Sequence, residues 1–242
     1  MKIRIKFRKY RSMKFIGHLD IMRFFQKAIR RSGIDICYTE GFSPHQVMSF
    51  AAPLGVGLLS DGEYLDIEVH SSLPSDSAIA ALNKQMVPGI EVTEYVRLDD
   101  NSKTAMSQVT AADYVLFDPE DILSSLSKKE LEIKIQEFFN QEKIEAVKKT
   151  KKSERILDLK PLLYDFKTAE HEDADIGPSI IFLSVSTGST DNIKPEFVME
   201  QFLAFIGLDT ENKRFITKRL ETYGQINGVR LPLSQYGEPI LT

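Results

Sequence analysis

The chain has 242 residues, 31 Lys+Arg against 35 Asp+Glu, 42% hydrophobic residues, one cysteine and no tryptophan. This length and composition allow one large domain or two small ones, and they exclude collagen-like and disordered chains. No apolar run reaches the roughly 18–20 residues of a membrane span, and residues 1–20 lack the apolar stretch of a signal peptide, so the expected address is the cytoplasm.

In chain order, Ile3, Ile5 and Phe7 alternate with Lys2, Arg4, Lys6 and Arg8, which predicts a strand. Gly17 to Gly33 changes to helical spacing, with Leu19, Met22, Phe25 and Ile29 on one face and Arg23, Lys27, Arg30 and Arg31 on or near the other. Gly33 is the expected stop. Gly41 and Pro44 break the next stretch into short extended pieces, Ile36 to Tyr38 and Val47 to Ala51. A strand over Glu63 to Val69, a helix over Pro74 to Met86 and a strand over Ile90 to Leu98 complete the order β-α-β-β-α-β. That order predicts a split βαβ, ferredoxin-like lobe over residues 1–98, with both helices on one face of an antiparallel sheet.

Residues 99–110 are polar and read as a linker. A second lobe is expected over 111–224. Its strands are Ala111 to Phe117, short pieces at Ala146 to Thr150 and Ile156 to Leu159, Ile180 to Val185 and Arg214 to Tyr223. Its helices are Lys128 to Phe139 and Pro195 to Phe205; Lys148 to Lys152 and Glu170 to Asp175 read as loops. Residues 225–242 read as an irregular tail. The fold class is therefore α+β: two ferredoxin-like lobes with antiparallel sheets.

Charge is segregated along the chain. Residues 1–50 hold 11 Lys+Arg and 3 Asp+Glu, a balance of +8, which leaves −12 for the remainder. Such a basic segment on an acidic protein points to a polyanion partner such as RNA. In a lobe with both helices on one face, the cations of the first strand would line the open face about 6.6–6.8 Å apart, near the phosphate spacing of an extended strand. Arg4, Lys6, Arg8, Lys14, Arg23 and Lys27 are the candidate RNA contacts, with Lys9 and Arg11 as possible additions. Acidic neighbours such as Asp66 and Glu68 could instead neutralise the strand. His18 and Asp20 at the mouth of the first helix, and Glu40, Ser43 and His45 in the following loop, are candidate cleft residues; His18 is also the one candidate general acid or base. The histidine spacing matches no metal motif, and no cofactor is expected. Cys37 reads as a small buried hydrophobe, and His70 and His171 as surface residues.

Several motifs then occur together: the Arg4-to-Lys14 stretch, Phe15-Ile16-Gly17-His18-Leu19-Asp20, Gly41-Phe42-Ser43-Pro44-His45, Ala52-Pro53-Leu54-Gly55, and Ser60-Asp61-Gly62-Glu63-Tyr64-Leu65-Asp66. In this order they resemble the bacterial radical-SAM-linked domain family, whose domain would extend to roughly residue 190. The family has no established activity. Its members are fused to, or encoded beside, radical S-adenosylmethionine proteins and often lie near ribosomal-protein and ribonuclease genes, so the resemblance implies a radical SAM partner and an RNA-related substrate. A radical SAM cluster takes three cysteines, which a chain with only Cys37 cannot supply. The expected role is a non-catalytic accessory that binds tRNA or rRNA for a separate modification enzyme. The alternatives are a metal-independent RNA endonuclease using His18 with Lys14 or Arg11, and a protein-docking module without nucleic acid.

Overall fold

The computed structural model describes residues 1–149, 154–188, 191–211 and 213–241. The alternating N-terminal stretch forms β1 (Lys2–Lys9), and a 3₁₀ turn over Arg11–Phe15 leads into α1 (His18–Ser32). Gly33 ends α1 in the left-handed region at φ 78, a conformation that glycine adopts without steric penalty. Then follow β2 (Met48–Phe50), β3 (Leu59–Glu68), α2 (Ser75–Asn83), β4 (Ile90–Leu98), the short α3 (Ala105–Gln108) and β5 (Val109–Phe117).

Beyond these come α4 (Lys128–Phe139), a hairpin of β6 (Glu145–Lys149) and β7 (Glu154–Asp158), and β8 (Leu163–Thr168). A two-residue ladder of β9 (Glu172–Asp173) and β10 (Gly177–Pro178) precedes β11 (Ile181–Ser186), α5 (Pro195–Phe205) and β12 (Ile216–Ile226). The chain closes with β13 (Val229–Pro232), a 3₁₀ turn over Leu233–Tyr236 and β14 (Gly237–Pro239). Every strand pairing with a stated register is antiparallel, and the fold class is mixed α+β.

Two compact units result: residues 1–110 with 219–242, and residues 111–218. In the first, β14, β4, β1 and β3 lie side by side in that order, with β2 and then β12 also against β3. Its core joins Ile3, Ile5 and Phe7 of β1 to Ile21, Phe25 and Ile29 of α1 and Leu65 and Ile67 of β3. In the second unit the order is β5, β11, β8. There Phe138 of α4, Phe166 of β8 and Phe202 of α5 meet edge to face, with ring centroids 5.1–5.8 Å apart.

Three expectations are corrected. Residues 99–110 are part of the first unit: Ala105 is fully buried, and its N–H donates to Asp66 at 2.6 Å. The second unit ends at Lys218 rather than 224, because β12 runs on beside β3. At that approach a Cβ on Gly62 would lie 2.7 Å from the Glu221 Cα, so glycine fits there and larger residues do not. The tail is ordered: Leu233 is fully buried, and the Ile240 N–H donates to Ser75 Oγ at 2.8 Å. A further strand, β8, follows the region read as two short pieces. The expected strand end at Thr150 and the loop residues 150–152 lie outside the described residues.

Candidate functional site

The even-numbered cations of β1 form the best-defined charged array in the first unit. Arg4 is fully buried; its guanidinium donates twice to Asp66, at 2.8 and 3.0 Å, and also to the Leu233 carbonyl and to Gln108 Oε1. Lys6 pairs with Glu221 at 2.7 Å and Glu94 at 3.1 Å, and Arg8 with Asp61 at 2.7 Å and Glu91 at 3.2 Å. Burial alone would lower the Lys6 ammonium, but Glu221 and Glu94 more than offset it and hold it above its ordinary value. The expectation of an open basic strand face is therefore corrected. A small cluster of Ala51, Tyr64, Ala105, Val109 and Leu233 packs in this unit, and carboxylates on β3, β4 and β12 neutralise the row. Arg4 and Lys6 form largely buried ion pairs, and Arg8 forms partly exposed ones.

The cations of α1 are placed differently. Ile21, Phe25, Ala28 and Ile29 bury one side of the helix, which turns Leu19, Arg23, Lys27, Arg30 and Arg31 outward, all exposed. Asp20 lies on the same stripe and reaches Arg23 at 3.4 Å, an exposed i,i+3 pair that salt would screen. Aromatic residues flank the helix: Phe15 just before it is 63% exposed, and Phe42 in the following loop is fully exposed. The start of the strand leaving that loop is tied to the helix, since Gln46 Nε2 donates to the Gln26 carbonyl at 3.1 Å. Lys14 is half-buried, with its ammonium over the Phe15 ring.

The expected cleft does not assemble. Glu40, Ser43 and His45 are exposed, and His45 is held within its own loop by Thr39, whose hydroxyl lies 3.1 Å from Nδ1. His18 instead packs edge-on against Phe50 and lines a narrow pocket whose wall includes Lys9, Glu63, Phe7 and Leu54, with no residue of the 39–45 loop and neither Arg11 nor Lys14. Burial lowers the His18 imidazole below its ordinary value.

This pocket contains Glu63, which the sequence reading did not single out, and Lys9, which it had placed with the exposed RNA contacts. Lys9 and Glu63 are each about 95% buried or more, on the helix side of the sheet. Glu63 accepts from Arg219 at 2.7 Å, and Arg219 also donates to the Ala52 carbonyl. Burial pushes the Glu63 carboxyl up against the pull of Arg219; it pushes the Lys9 ammonium down, with Glu63 opposing and Arg219 assisting. The signal was present in the sequence, because strict alternation puts Lys9 in phase with Ile3, Ile5 and Phe7, and Glu63 in phase with Leu65 and Ile67. Of the other expectations, His70 is exposed, Cys37 is half-buried, and His171 is half-buried in the second unit with Nε2 enclosed and unpaired.

Among the described residues, no cluster of His, Cys, Asp and Glu is arranged to hold a metal, and no helix is long and apolar enough to cross a membrane. Residues 2–195 match a bacterial family described as an uncharacterized protein conserved in bacteria, DUF2344. The chain belongs to this family. The match takes in β1, the His18 motif, the 39–45 loop and Glu63, and it ends where α5 begins. No curated protein matches the chain. The solved structure of the first two RRM domains of yeast poly(U)-binding protein Pub1 is similar at 11% identity, over 90% of this chain and 98% of that one, with a TM-score of 0.22. A likeness at that score carries no argument about fold or function.

Proposed function

We propose that this DUF2344 protein is an RNA-binding accessory that contacts its RNA through the outward face of α1 and the aromatic residues on either side, and presents it to a separate radical SAM enzyme. The observation that carries the reading is the stripe of Arg23, Lys27, Arg30 and Arg31, exposed along about 12 Å of helix with Asp20 as the one acidic residue in it. Exposed Phe15 and Phe42 offer ring faces for unpaired bases, the combination by which single strands are held without strict sequence preference. The strand order β4-β1-β3-β2 supports reading the first unit as a split βαβ, ferredoxin-like lobe, and the antiparallel order β5-β11-β8 is consistent with a second lobe of the same kind. The radical SAM partner follows from the family resemblance of the motifs, and the bacterial family is consistent with a cytoplasmic setting.

Binding to tRNA and rRNA fragments at two salt concentrations tests the reading. The wild-type chain is expected to bind at low salt and to weaken steeply as salt rises. Arg23→Glu with Lys27→Glu should lower affinity at least tenfold and reduce the salt slope by about 2. No binding at low salt, or an unchanged double variant, would overturn it. A second reading, docking onto a protein, is favoured by Leu19 and Val56, both about 60% exposed near the same helix start. Co-purification of the radical enzyme with a chain that binds no RNA would select that reading.

A further inference from the structure

The pocket under the start of α1 is lined by a cation, Lys9, whose charge is opposed there by the carboxylate of Glu63 alone among the described residues. Lys9 is 3% exposed, and its ammonium makes no hydrogen bond among the described residues. The nearest carboxylate, Glu63, is already engaged by Arg219 at 2.7 Å. With all three ionised, two cations share one carboxylate beside a wall that is otherwise apolar apart from His18, with Phe7, Phe50 and Leu54 among its residues. A buried ammonium in that position is unfavourable unless it sheds its proton or an anion joins it.

The helix supplies further attraction for an anion. Gly17 occupies the N-cap position and provides no side-chain acceptor; the Asp20 N–H donates to the Gly17 carbonyl at 3.2 Å, which leaves the His18 and Leu19 N–H groups at the start of the 15-residue α1 uncapped among the described residues. An ordinary side chain would fit at Gly17, since a Cβ there would meet nothing closer than the Val56 methyl at 4.0 Å. The His18 imidazole lies in the same wall and can donate or accept. The pocket is narrow, with room at its floor for little more than one oxygen atom.

We propose that Lys9, His18 and the first backbone N–H groups of α1 bind a phosphate group, one oxygen of which enters the pocket to meet the Lys9 ammonium. The group is either free inorganic phosphate or the terminal phosphate of an RNA strand. The second source rests on the RNA-binding reading above; the first does not. Glu63 lines the pocket, and Arg219, outside that lining, neutralises its carboxylate at 2.7 Å so that it does not repel the anion.

Phosphorus NMR and calorimetric titration of the intact chain with inorganic phosphate, at fixed ionic strength in chloride, test the site. Saturable binding is expected for wild type, with at least a tenfold loss in Lys9→Met and no loss in the distant control Lys84→Met. His18→Gln, a change at a half-exposed position, should weaken binding severalfold and carries the test if Lys9→Met does not fold. Absence of saturable binding to wild type, or equal binding by wild type and the pocket variants, overturns the proposal. A pair of otherwise identical RNA oligonucleotides, one with a 5′-phosphate and one with a 5′-hydroxyl, separates the sources. A phosphate-dependent preference lost in Lys9→Met assigns the RNA end. Equal affinity for both oligonucleotides, or none for either, alongside saturable inorganic phosphate assigns the free ion.

Discussion

Lys9 and Arg4 lie five residues apart on one strand and illustrate two fates of a buried cation. Arg4 meets a bidentate carboxylate, a carbonyl and an amide oxygen, so its charge is fully compensated. Lys9 has only the field of Glu63, shared with Arg219 and with half-buried His18 in the same pocket, and its ammonium is held below the usual lysine value. Between that lowered value and the ordinary one, the unfolded chain binds a proton that the folded chain has shed, so stability contributed by this site rises with pH. Urea unfolding at pH 7 and pH 9.5 is expected to show this rise in wild type and a smaller one in Lys9→Met. At pH 7 the variant should be within about 1 kcal/mol of wild type or more stable, as expected when an apolar side chain replaces an uncompensated buried charge. Alternation predicted the side of the sheet for Lys2, Arg4, Lys6 and Arg8, but not their partners, and Lys9 was read with the wrong face. Asp66 was foreseeable as a strand neighbour, whereas Leu233 reaches Arg4, and Glu221 reaches Lys6, from more than 200 residues away.

Most elements with regular periodicity were legible. The apolar stripe of α1 and its Gly33 stop gave a helix within a residue of the observed one, and α4 over Lys128–Phe139 and α5 over Pro195–Phe205 fall where their spacing puts them. At the start of α4 the Ser127 hydroxyl accepts from the Glu130 N–H at 3.3 Å, and the Glu130 carboxylate accepts from the Ser127 N–H at 2.8 Å. Ser127→Ala is expected to cost about 1 kcal/mol in urea unfolding, with circular dichroism otherwise unchanged. Short strands were the harder case. β13 and β14 have three or four residues each and contain proline, and such runs carry no usable period; they are strands because a neighbouring edge offers them hydrogen bonds. The candidate interface was half legible for the same reason. The helix cations show their outward phase in sequence, while neutralisation of the strand cations depends on pairings that only the folded chain brings together.

At the scale of the molecule, the first unit is built from two distant pieces of chain. Residues 219–242 provide Arg219 for Glu63, Glu221 for Lys6, the Leu233 carbonyl for Arg4 and the β14 edge for β4. A chain ended at Lys218 is therefore expected to leave residues 1–110 open to protease while residues 111–218 stay protected, as limited proteolysis with mass spectrometry would show. Equal protection of both parts would refute this. During synthesis the usual order of assembly is then reversed. Residues 111–218 can close on themselves while residues 1–110 still wait, with the carboxylate of Glu63 and the ammonium of Lys6 in water, until residues 219–242 leave the ribosome. A ribosome stalled before residue 219 would thus hold a nascent chain whose central part is folded and whose beginning remains a substrate for chaperones and proteases.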